Sequence, residues 1–138
     1  MIFIDSGALI ARYLKRDQYY NNAAPLWKWL QDSTISTYTS NFVIDETITF
    51  LARNAGYEFA FERAQEIYSS TELIILRPTL NDELQALEFF KKYADQQVSF
   101  TDCISFVLMR KNNIHTAFTF DYHFEAAGFQ RWEYEGNY

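Results

Sequence analysis

The chain has 138 residues, with 18 Asp and Glu against 12 Lys and Arg, a formal net charge of −6, and 49% hydrophobic and 19% aromatic side chains. That length supports one domain with a real core, and an aromatic content this high beside four Gly and two Pro excludes a disordered or low-complexity chain. One Cys and two His exclude an internal disulfide and a four-ligand Cys/His zinc site, while no apolar run approaches the ~18 residues of a membrane span, so a cytoplasmic protein is expected.

Ile2-Phe-Ile4 is a short apolar run suited to a strand buried on both faces, and Asp5-Ser6 offers an N-cap to the helix that follows. Leu9, Ile10, Tyr13 and Leu14 have helical spacing, which predicts a helix ending near Asp17 with Arg12, Lys15 and Arg16 turned to water. A second helix is predicted over 19–32, with Pro25 marking a start or kink. Residues 35–39 alternate and are β-branched, which reads as the second strand. Ser40 then caps a helix to about Ala55, where Gly56 stops it. A helix over 58–69, a buried strand over 73–76 and a helix capped by Thr79 and running to about Tyr93 come next. Ser99 to Asp102 has capping-box spacing and opens a helix through Ile104, Phe106, Val107, Leu108 and Met109. The last strands are predicted over 115–120 and, after Gly128, 129–133. Alternating strands and helices mean right-handed crossovers and an α/β fold: a mostly parallel sheet of four or five strands with helices on both faces.

The glycines fit neither dinucleotide nor ATP phosphate loops, and no zincin motif or nucleophile elbow is present. Carboxylates remain. In open α/β sheets ligands bind beyond the carboxyl ends of the strands, so the acids that matter are at strand exits and adjoining helix starts. Asp5 and Asp121 are strand exits, Asp102 lies in a first helical turn, and Glu46 lies on the helix after the second strand. Each has a structural reading as well. Asp5 could cap a helix, Asp102 could serve a capping box, Asp121 could form a turn, and Asp45 rivals Glu46 from about 100° around the helix. Four ionised carboxylates ~5 Å apart would repel by something on the order of 20 kcal/mol at an effective dielectric near 20. Cations or protonation must offset that. A hard all-oxygen cage selects Mg²⁺ or Mn²⁺, whose usual substrate is a phosphate ester, and phosphodiester hydrolysis is the leading chemistry.

At these residues the chain resembles the PIN-domain ribonucleases, and within them the VapC-type toxins of type II toxin–antitoxin pairs. The segments that carry the resemblance are Ile2-Phe-Ile-Asp-Ser6, Val43-Ile-Asp-Glu-Thr47, Phe100-Thr-Asp-Cys-Ile104 and Thr119-Phe-Asp-Tyr-His-Phe124 with Gly128-Phe129. It spans essentially the whole chain. It implies a single three-layer α/β/α PIN-like domain over 1–138 and a divalent-metal endonuclease acting on RNA, using Mg²⁺ or Mn²⁺. By the same match Asp5, Glu46, Asp102 and Asp121 would be the catalytic, metal-binding acids, with Ser6 and Thr119 as supporting hydroxyls. A homodimer and a cognate antitoxin are implied too. Cys103 and Ser105 stand where small apolar residues are more usual. The rival reading is a PIN-like module that binds RNA or protein without cutting.

Other residues have plainer readings. His115 and His123 are expected to pack or hydrogen-bond, and Tyr19, Tyr20 and Trp27 to be core. Arg12, Lys15 and Arg16 follow Asp5 closely and could hold an RNA backbone. The acidic total does not exclude an RNA substrate. Residues 1–53 carry five basic and five acidic side chains, so the whole deficit lies in 54–138, and divalent ions at the four acids would remove much of it.

Overall fold

The computed structural model describes residues 1–132. Its elements are β1 (Ile2–Ile4), α1 (Ser6–Tyr13), α2 (Tyr20–Asp32), β2 (Thr37–Ser40), α3 (Asn41–Ala55), α4 (Tyr57–Ser69), β3 (Leu73–Leu76), α5 (Leu80–Lys92), α6 (Phe100–Lys111), β4 (Thr116–Phe118), α7 (His123–Ala126) and β5 (Gln130–Arg131). A single 3₁₀ turn, Ala94–Gln96, separates α5 from α6.

All five strands are parallel and lie in the order β3-β2-β1-β4-β5. Ile2, Phe3 and Ile4 are all buried, as the continuous apolar run requires for a central strand covered on both faces. α1 packs on α2 and α3, and α3 on α4, while α5 packs on α6 and α6 on α7. Right-handed crossovers put these two groups on opposite faces, giving the expected three layers. Phe106 is the hub of the second layer, with ring contacts to Phe89, Tyr93, Phe124 and Phe129. Trp27 anchors the first: its ring packs on Phe118 and its indole N–H donates to the Ala8 carbonyl at 3.0 Å.

The differences from expectation have local causes. Helix α1 stops at Tyr13 rather than near Asp17, because Leu14 turns to extended backbone and buries with Leu51 and Ala60. Strand β2 begins two residues late and extends to Ser40, because Thr37 to Ser40 pair with Leu73 to Leu76. Strand β4 ends at Phe118, two residues early, because the Thr119 hydroxyl is taken up by Asp5 and by the backbone of Asp121. A short helix, α7, fills the predicted break before Gly128, which has φ of 96°. The predicted end of the last strand at Glu133 lies outside the described residues; within them β5 is Gln130–Arg131.

Two capping motifs differ in a way that matters for the site. At α5 the box is complete: Thr79 Oγ1 accepts from Asp82 N, and Asp82 Oδ2 accepts from Thr79 N. At α6 only half forms. Ser99 Oγ accepts from Asp102 N at 3.1 Å, but the Asp102 carboxylate does not return the bond, so the box predicted from spacing is corrected to a one-sided cap.

Removing the hub ring tests this packing. Phe106→Ala should destabilise the protein by about 3–5 kcal/mol, read as a lower urea midpoint with an unchanged slope.

Candidate active site

In the strand order β3-β2-β1-β4-β5, the winding of the chain changes side between β1 and β4, and a crevice opens beyond their carboxyl ends. Asp5 leaves β1 there and Thr119 leaves β4, directly beyond the paired residues Ile4 and Phe118. The Asp5 N–H still donates to the Phe118 carbonyl at 3.1 Å. The two ends are then tied by a side chain: Thr119 Oγ1 donates to Asp5 Oδ2 at 2.7 Å and accepts from Asp121 N at 3.0 Å. Glu46 arrives from the second turn of α3, where Ser6 Oγ donates to its Oε1 at 3.2 Å. Asp102, freed from capping, arrives from the first turn of α6.

Asp5, Ser6, Glu46, Asp102 and Asp121 line one cleft of about 460 Å³, together with Tyr19, Ser99, Phe120, Tyr122 and His123. The structure thus brings together all four acids singled out in the sequence. Asp5 is the N-cap residue of α1 but makes no side-chain capping bond, so its structural reading fails. Asp45 is exposed and does not line the cleft, which separates it from Glu46.

The acids sit in an environment that opposes their charge. Asp5 is only 5% exposed, and its Oδ1 accepts no hydrogen bond among the described residues. Burial pushes its pKa up to about 6 against the Thr119 hydrogen bond, with Glu46 and Asp121 adding to the rise. Asp102 is pushed up to about 9, first by burial and then by the charges of Asp5, Asp121 and Glu46. Such values mark carboxylates placed together for a reason other than stability. The lining suits a divalent cation: Asp102 and Asp121 present hard oxygens close enough to share an ion, and Asp5, with a buried unpartnered oxygen, and Glu46 line the same cleft.

His123 also lines the cleft, beside the acids. Its Nδ1 lies 3.0 Å from Asp121 Oδ1 and 4.0 Å from Asp102 Oδ2, and ligand atoms of these three residues all fall within 4.8 Å of one another. The signal in the sequence was the spacing Asp121-Tyr-His123, a turn in which Asp121 Oδ1 also accepts from His123 N at 2.9 Å. Tyr19, read as core, lines the cleft as well.

Arg12 lies elsewhere. Helix α1 runs back from the cleft for eight residues, about 12 Å, so Arg12 reaches the opposite edge of the sheet. There its guanidinium lies 4.5 Å over the Trp27 ring, in a cavity that also holds Thr37 and Leu73, the first residues of β2 and β3. Lys15 and Arg16 are exposed in the segment that leads from α1 back to Tyr19 at the cleft. Cys103 is buried and free, with its thiol pushed up to about 11 by burial, which makes it inert.

The PIN-domain family model matches residues 2–130. The chain belongs to the PIN-domain family. It is 36% identical over 129 residues to the 23S rRNA-specific endonuclease VapC20 of two Mycobacterium tuberculosis strains, a match covering 94% of this chain and 95% of the relative. The crystal structure of VapC20, a sarcin–ricin loop cleaving toxin, superposes with a TM-score of 0.85 at 34% identity, over 94% of this chain and 96% of that one. FitAcB from Neisseria gonorrhoeae shares the fold, with a TM-score of 0.63 at 15% identity over 96% and 97% of the two chains. As a PIN domain, this chain carries its acids where the fold places its ligand-binding crevice.

The raised carboxyl pKa values have a signed consequence for the metal-free protein. Between about pH 4 and 9 the folded state keeps a proton on Asp102 that the unfolded chain has released, so stability falls as pH rises through that window. Asp102→Asn should therefore raise the metal-free Tm at pH 7 by roughly 5 °C or more and leave it nearly unchanged near pH 4. Thermal melts in the presence of a chelator at both pH values measure this.

Proposed function

We propose that this chain is a divalent-metal-dependent endoribonuclease that hydrolyses RNA phosphodiester bonds as the toxin of a type II toxin–antitoxin pair. The observation that carries the reading is the convergence of Asp5, Glu46, Asp102 and Asp121, from four separate elements, on one cleft at the carboxyl edge of the sheet. Four acids crowded in this way oppose folding in their charged forms, and a cation would compensate them. The 36% identity to a 23S rRNA endonuclease over nearly the full length of both chains makes RNA the substrate class, with the sarcin–ricin hairpin as the first to test. A non-cleaving module would have no use for four intact acids.

In this reading Asp5, Asp102, Asp121 and Glu46 would hold Mg²⁺ or Mn²⁺, and Ser6 and Thr119 would position two of them. A divalent ion there supplies a lowered water pKa and charge neutralisation at the phosphate. Thr119 orients Asp5 and, through the Asp121 backbone, the turn that carries Asp121. Ser6 holds Glu46, the most exposed of the four, toward the others. His123 faces both Asp102 and Asp121, and an imidazole beside carboxylates shifts preference from Mg²⁺ toward Mn²⁺. Lys15 and Arg16, exposed in the segment between α1 and Tyr19, would contact the RNA backbone.

The same reading takes residues 1–138 as one domain and the protein as a cytoplasmic homodimer with an antitoxin partner. Helix α5 supports a covered face: Leu80, Leu84 and Leu87 recur at helical spacing and are exposed, with Phe90 beside them. A second exposed apolar set, Phe50, Tyr57 and Phe61, lies on α3 and α4 and would suit the antitoxin. No described helix is long and apolar enough to cross a membrane.

Cleavage of a sarcin–ricin RNA hairpin by the purified protein should require Mn²⁺ or Mg²⁺ and stop with chelator. Asp5→Asn and Asp102→Asn should each lower the rate at least ~100-fold, and Thr119→Val by about 10–100-fold as the loss of an outer-shell partner. Unchanged cleavage in both Asn variants would overturn the site assignment. Sedimentation should give a dimer that Leu84→Lys converts to monomer.

A further inference from the structure

The cleft is lined by aromatic rings as well as acids, and their arrangement has no role in the chemistry above. Phe120 and Tyr122 bracket Asp121 in the chain, and Tyr19 crosses over from the start of α2. Tyr19 stacks on Phe120 with ring centroids 4.3 Å apart and planes within 3° of parallel. Phe120 in turn lies over Gly7, where an added Cβ would come within 3.9 Å of its ring, and it meets Phe118 edge-on at 6.0 Å. Its position is set from below and behind. Tyr19 is further held by its own backbone N–H, which donates to Asp17 Oδ2 at 2.9 Å.

This is a two-ring stack with a closed lower end and an open upper one. Tyr19 is 36% exposed even with one face against Phe120, and Tyr122 is 60% exposed where it leans on His123 at 4.6 Å between centroids. Both line the cleft that holds Asp5, Asp102 and Asp121. Covering an exposed aromatic face with another flat apolar surface is favourable. A phosphodiester seated at the acids necessarily carries a nucleoside on each side. Unpaired RNA bases are recognised by splaying them onto aromatic side chains, and every base has a face that can stack.

We propose that Tyr19, backed by Phe120, is a stacking platform for an unpaired nucleobase next to the scissile phosphate, with Tyr122 supporting the base on the other side. Resting on the reading of the chain as an RNA-cleaving enzyme, this deepens it: the platform selects looped or single-stranded RNA over duplex, whose bases are stacked on one another and unavailable. Tyr19 and Tyr122 act as positioning residues, holding the nucleotide so that its phosphate meets the acids.

The test uses the full chain with Mn²⁺ and a sarcin–ricin RNA hairpin whose cleavage position is first mapped, beside two derivatives carrying one abasic nucleotide on either side of that position. Tyr19→Leu should raise KM about 10–100-fold on the intact hairpin with a smaller change in kcat, and Tyr19→Trp should restore it. One abasic derivative should penalise wild type by a similar factor and add nothing further in Tyr19→Leu. Tyr122→Leu, at a position too exposed to unfold the domain, should raise KM in the same direction. Wild-type KM for Tyr19→Leu and Tyr122→Leu on all three RNAs would overturn the platform while leaving the nuclease intact. If wild type cleaves none of them, fluorescence anisotropy of labelled hairpin and abasic derivatives decides without catalysis. Tighter binding of the intact hairpin that Tyr19→Leu abolishes supports the platform alone, and equal or absent binding overturns it.

Discussion

A single hydroxyl ties the two strand ends on which the site depends. Thr119 Oγ1 donates to Asp5 Oδ2 and accepts from the Asp121 backbone, so the carboxyl ends of β1 and β4 share one short bridge. The sheet places these ends side by side but does not orient the residues beyond them, because the β4 ladder stops at Phe118. Thr119 does that. It ends the strand early, fixes one oxygen of Asp5 and leaves the other buried without a partner, and starts the turn that presents Asp121 and His123. Ser6 has the same part on the other side, where it reaches across to Glu46. The acids are held by neutral donors, with no Lys or Arg among the described residues that line the cleft, so their mutual repulsion is left for a ligand to satisfy.

Most of the architecture was legible because it follows from periodicity. Leu73 to Leu76 and Ile2 to Ile4 read as buried strands, and the caps at Ser40, Thr79 and Ser99 placed their helices to within a residue or two. The four acids were legible because strand exits and helix starts converge by topology. The features that escaped the sequence depended on tertiary geometry. Whether Asp102 would return the capping bond could not be read from its spacing, since Asp82 has the same spacing and does return it. Lys111 holds Asp82 in place at 3.0 Å, whereas Asp102 faces other carboxylates. Tyr19 was read as core because a tyrosine in an amphipathic stretch is usually buried, and the place of His123 in the cleft depends on the turn at Asp121 rather than on any helical or strand period. Arg12 was misplaced because closeness in sequence was taken for closeness in space, while α1 carries it to the far edge.

The charge distribution takes on a different meaning once the fold is known. Two of the four acids of the cleft come from the first 53 residues and two from the remainder, and the sheet joins them at its centre. The other acids of α4 and α5 lie on outer helices, many of them exposed. An acidic protein acting on RNA is therefore no contradiction, since the negative charge that matters is focused at one cleft where divalent cations would neutralise much of it.

The position of β3 bears on how the protein behaves in solution. It is an edge strand, it is composed of Leu-Ile-Ile-Leu, and Ile74 is 44% exposed. An edge of that composition is a template for pairing with another chain and for aggregation. Two features limit it: the strand is only four residues long, and Arg77 and Pro78 come directly after it, one adding charge and the other removing an N–H donor. The same short strand that closes the sheet on this side therefore also guards it against open-ended assembly.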